Sequence, residues 1–180
     1  MPTYIALLRG INVGKAKRVA MAELREIVAG LGHANVRTLL NSGNVVFDHP
    51  RKLSSSSAAA IRDALETRTG VRSEVTLVAA ADLATIVVEN PLVGMITDPA
   101  RCLVAFPATL ADLKRTATLA EGDRSPERFA IGSRAAYLWC PPGILESRLI
   151  KDFGRLIGDA VTTRNWATVL KLHAITSAQG

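Results

Sequence analysis

The chain has 180 residues, 48% apolar and 21% charged, with 22 Lys and Arg against 16 Asp and Glu and a formal charge of +6. That length suits one domain or two small ones with a continuous core, which excludes a disordered or low-complexity polypeptide. Aromatics at 4% leave few platforms for stacked bases, and no apolar run approaches the roughly 20 residues that cross a bilayer.

Thr3 to Leu8 reads as an apolar strand. Met21, Leu24, Ile27, Val28 and Leu31 follow helical spacing toward a stop at Gly32. Residues 36–40 and 44–47 read as short strands around NSGN, where Gly43 supplies the positive φ of a tight hairpin. The serines at 54–57 precede AAAIRDALETRTG and read as the cap of a helix with Ile61 and Leu65 facing inward. Residues 74–78 return as a strand, and 82–89 form a short helix that ends before Asn90-Pro91.

The order then repeats. Residues 102–106 read as a strand, 110–119 as a helix, and 128–131 with 135–140 as a hairpin turned at GSR. Leu145, Leu149, Phe153 and Leu156 mark a helix, 161–163 a short strand, and 165–175 a closing helix. The expected fold is α+β: two tandem ferredoxin-like βαββαβ subdomains, 1–79 and 100–180, joined by a helical linker at 80–99. The repeat is one of element order, with little residue identity between the halves.

This topology has a consequence for function. A right-handed crossover makes the first two strands parallel, with the third between them. The loop after strand one and the NSGN turn then lie at one end of the first subdomain. That loop, within LRGINVGKAKR, carries Arg9, Lys15, Lys17 and Arg18 and no acid. It is not a Walker motif: three residues separate Gly10 from Gly14, and Ala16 stands where a hydroxyl residue is needed. A glycine loop ahead of a helix can still hold an anion on its N–H groups. The expected ligand-binding set is Arg9, Gly10, Asn12, Gly14, Lys15 and Lys17, with Asn41, Ser42, Gly43 and Asn44. The competing reading is a hydrated turn beside a hairpin. A secondary candidate is Arg164, Asn165 and Trp166 in TTRNW, where capping and packing account for all but Arg164.

Other chemistry finds less support. His33, His49 and His173 lack metal-ligand spacing, and no GxSxG elbow is present. No metal or cofactor is expected, and whether the chain is an enzyme is left open. Cys102 and Cys140 read as buried reduced thiols. With no signal-peptide pattern at the N-terminus, the chain reads as cytoplasmic. Tyr137 and Trp139 have the period-two spacing of a stacking platform, so single-stranded nucleic acid is an alternative partner, though not the favoured one.

YIALLRGINVGK, then MAELR, NSGNVVF and TTRNWATVLKL, resemble the bacterial family called domain of unknown function 1697. The resemblance implies an α/β protein of two related subdomains and carries no substrate. The family pattern usually has a second glycine after GINVG; Lys15 stands there in this chain and makes the loop more basic. The leading expectation is a cytoplasmic protein holding a small phosphorylated or otherwise anionic ligand at this loop. The alternative from another class is a self-association module, a homodimer formed through an exposed sheet face.

Overall fold

The computed structural model describes residues 1–178. The protein is mixed α+β: among the described residues it has two four-stranded antiparallel sheets and six helices. It divides into two compact units, Met1–Ala81 together with the chain end from Thr176, and Asp82–Ile175.

In the first unit, β1 (Thr3–Leu8) is nearly uniformly apolar and five of its six residues are buried, so it takes a central place. It pairs on one side with β3 (Asn44–Asp48) and on the other with β4 (Val75–Ala79), Ile5 facing Val46 and Val78 in the two ladders. β2 (Ala34–Leu39) adds outside β3, giving the order β2-β3-β1-β4 with every neighbouring pair antiparallel. α1 (Met21–Gly30) turns Leu24, Ile27 and Val28 inward. α2 (Ser55–Thr69) contributes Ile61 and Leu65. It opens on a capping box between Ser54 and Ser57 and closes at Gly70 with φ +73°. These side chains pack on Tyr4, Ala6, Leu8, Val45 and Phe47. Burying a side chain such as Leu65 fully contributes about 1.5–3 kcal/mol.

The second unit repeats this order after α3 (Ala80–Glu89). Its sheet runs β6 (Arg128–Ile131), β7 (Ala136–Trp139), β5 (Cys102–Pro107) and β8 (Val161–Asn165), again antiparallel throughout. α4 (Leu110–Lys114), α5 (Arg148–Ile157) and α6 (Trp166–Ser177) complete it. Tyr137 donates its hydroxyl to the Ile86 carbonyl at 2.6 Å. The Glu89 carboxylate accepts both the N–H and the hydroxyl of Ser133, and Arg134 pairs with Asp82. Together these contacts tie α3 to the β6–β7 hairpin.

Two expected elements differ. The helix anticipated over 110–119 is α4 of five residues followed by a 3-10 turn, Ala117–Ala120. Thr116 is buried with its hydroxyl on the Leu113 carbonyl, a local bond that competes with helix continuation and lets Leu113 and Leu119 both reach the core. The helix anticipated from Leu145 starts at Arg148, behind Ser147, whose hydroxyl accepts the Ile150 N–H. Leu145 stays 86% exposed.

Candidate functional site

The loop after β1 is fastened to the β2–β3 turn by its own residues. The Leu8 N–H donates to the Gly43 carbonyl at 2.8 Å, carrying the β1–β3 pairing into the turn. Asn12 then works in three directions. Its amide nitrogen donates to the carbonyls of Val19 (2.9 Å) and Asn41 (2.8 Å), and its amide oxygen accepts the Val19 N–H (2.9 Å). The Asn12 N–H closes the loop on the Lys17 carbonyl at 3.0 Å. On the β4 side, Arg9 is held by its backbone: its N–H reaches the Glu74 carbonyl, and its carbonyl accepts the Ser73 hydroxyl.

Ile11 is the anchor that the sequence pattern did not single out. It is 2% exposed and packs against Gly43. Val13, equally apolar and two residues on, is 68% exposed, so no local pattern marks Ile11. Gly43 is required here twice over. Its φ is +84°, and a Cβ would lie 2.7 Å from the Leu8 Cβ.

The expected ligand-binding residues therefore fall into two groups. Asn12, Gly43 and Asn44 build the junction: Asn44 is fully buried and donates to the Leu39 carbonyl and the Ser42 hydroxyl. Gly10, Gly14, Lys15, Lys17, Asn41 and Ser42 are exposed around it, and Arg9 is half-buried. Lys15, Lys17 and Arg18 make no ion pair among the described residues. Positive φ recurs at Gly10 (+66°), Asn12 (+55°) and Gly14 (+60°), with ordinary residues between. α1 follows, with no side chain capping its first turn.

TTRNW belongs to the second unit. Asn165 accepts the Thr168 N–H and caps α6, and Trp166 is 5% exposed. Arg164, the residue that capping and packing leave unaccounted for, is buried in β8 and donates to the Thr163 carbonyl. Desolvation lowers its pKa to about 10. Tyr137 and Trp139 are likewise interior, at 0% and 6% exposure, and offer no open surface for bases. Both cysteines are free and buried, and burial pushes the thiols up, Cys102 to about 12 and Cys140 to about 11. Among the described residues no group of three His, Cys, Asp or Glu is placed to hold a metal ion. None of their helices is long and apolar enough to cross a membrane.

Residues 1–137, which contain the junction and the basic loop, match the family model described as "Protein of unknown function (DUF1697)". The chain belongs to this family. Among solved structures, the conserved bacterial protein SP0830 from Streptococcus pneumoniae is similar to this DUF1697 member at a TM-score of 0.80 and 23% identity, over 98% of this chain and 99% of that one. At that identity the likeness carries the fold alone. No curated protein matches the chain.

Proposed function

We propose that this DUF1697 protein is a cytoplasmic binding protein for a small phosphorylated or otherwise anionic ligand, held at the loop after β1. The fold underneath is, in this reading, a pair of ferredoxin-like units, supported by the element order βαββαβ and the central placing of β1 and β3. One observation carries the functional reading. The loop presents exposed Lys15, Lys17 and Arg18 with no acid among residues 9–18, on a backbone fixed by Asn12 and Ile11. A cluster of cations on a mobile turn would hold little, because ordering it would cost the conformational entropy that binding returns. Here the backbone of the turn is held by its own contacts to Val19, Asn41 and Gly43, which supports the reading. Lys15 and Arg9 supply charge, Gly10 and Gly14 allow close approach, and the exposed Asn41 and Ser42 supply polar selectivity. The buried, free thiols suit a reducing compartment.

The test is a thermal-shift screen against inorganic phosphate, nucleotides and sugar phosphates. A ligand at 100 times its dissociation constant adds about 2.7 kcal/mol of stability. The expected result is a clear rise in Tm for at least one phosphorylated compound. A flat panel would overturn the reading.

A further inference from the structure

The second unit holds a cleft of about 370 Å³, and two of its lining residues, Glu127 and Arg124, each keep one enclosed polar atom without a partner. The acceptor is Glu127, at the approach to β6 and only 7% exposed. Its Oε2 accepts the Leu149 N–H at the start of α5, at 3.0 Å, while Oε1 has no hydrogen-bond partner. The donor is Arg124, three residues earlier. Its Nη1 reaches Asp152 Oδ2 at 3.1 Å, while Nε is buried without a partner. Native proteins satisfy nearly all buried polar groups, so two enclosed orphans of opposite sense on residues that line one cleft call for an explanation. They do not satisfy each other, because Arg124 pairs with Asp152 instead.

The signs of these groups narrow the guest. A simple anion would meet the Glu127 and Asp123 carboxylates, and a simple cation would meet the Arg124 and Arg128 guanidinium groups. A guest carrying a cationic donor and an anionic acceptor a few ångströms apart answers both. Phe129 and Leu119 give the same cleft an apolar wall, and its volume lies at the small end of ligand pockets. We propose that this cleft binds a small zwitterion of the free α-amino-acid class, its ammonium on Glu127 Oε1 and its carboxylate on Arg124 Nε. Both atoms are enclosed, so binding requires the two side-chain ends to turn toward the cleft as the guest enters. The proposal is independent of the anion loop in the first unit.

The experiment is an NMR titration of the full chain with each free L-α-amino acid, and with propionate, ethylammonium and inorganic phosphate as partial mimics. The expected result is a saturable shift of the Arg124 Nε–H and of the amides from 122 to 129 and at Leu149, with at least one amino acid and with none of the mimics. Glu127→Gln should weaken that binding at least tenfold. Because Glu127 also holds the first turn of α5, Ala120→Trp provides a second arm: it fills the cleft from an exposed position and should abolish the shifts with the fold intact. No saturable shift with any amino acid, an equal response to propionate or ethylammonium alone, or undiminished binding by Ala120→Trp would each overturn the assignment.

Discussion

The side-chain amide of Asn12 donates to the main-chain carbonyl of Asn41 at 2.8 Å, joining segments 29 residues apart. Two further bonds from the same side chain reach Val19. Each such bond contributes about 0.5–1.5 kcal/mol net. Asn12→Ala should therefore destabilise the protein by about 2–3 kcal/mol, including the strain of alanine at positive φ. Urea unfolding measures this, and a loss below about 0.5 kcal/mol would show that the junction does not depend on Asn12.

Gly43 and Gly14 separate two costs that glycine avoids. Both have positive φ, but a Cβ at Gly43 would strike Leu8 and Ile11, while nothing lies within 4 Å of one at Gly14. Gly14→Ala should cost about 1–2 kcal/mol, the left-handed penalty alone. Gly43→Ala should cost at least about 1–3 kcal/mol more, for the enforced repacking. Equal Tm values for the two variants would contradict this account of the turn.

Tyr137→Phe removes the hydroxyl that reaches the Ile86 carbonyl and keeps the ring. The loss should be about 1–2 kcal/mol in chemical unfolding. Hydrogen exchange should rise in α3, because this bond helps to fasten that helix to the β6–β7 hairpin. Unchanged protection across residues 82–89 would remove Tyr137 from that role.

Acid should weaken the first unit through His33 and Asp48. Burial, and then the nearby His49, lower the His33 pKa. The unfolded chain thus binds its proton first, and stability is lost as pH falls below about 6.5 toward the folded value. For Asp48, burial alone would raise the pKa, but hydrogen bonds from Asn35 and Thr3, with Arg37 nearby, bring it below the usual range. Its contribution is complete above the unfolded value of about 3.9 and disappears as pH falls through the folded one. His33→Gln should flatten the upper part of the stability profile and Asp48→Asn the lower part. A wild-type profile flat from neutrality to about pH 4 would contradict the role of His33, and one with no further loss below about pH 4 would contradict that of Asp48.

Much of this was legible in the residues. The period of the apolar positions located β1, α1 and α2, and Gly43 marked its hairpin. The crossover rule was enough to bring the basic loop and the NSGN turn to one rim. What stayed hidden depends on contacts between segments distant in sequence. Nothing local tells that Gly43 lies under the Leu8 Cβ, that Asn12 and Asn44 spend their amides on the junction, or that Ile11 fills it. Tyr137 and Trp139 share one strand face by period two, but residues 135–140 (AAYLWC) are apolar throughout, and both aromatics are interior. The Arg124–Glu127 cleft gave no motif, since its character comes from partners that the two side chains lack.

The most direct test of the central claim is a calorimetric titration of whichever phosphorylated compound raises Tm, comparing wild type with the double variant Arg9→Ala, Lys15→Ala. Charge-assisted contacts contribute about 1.5–3 kcal/mol each. The double variant should bind at least tenfold more weakly. Affinity equal to that of wild type would contradict the assignment of the loop as the binding site.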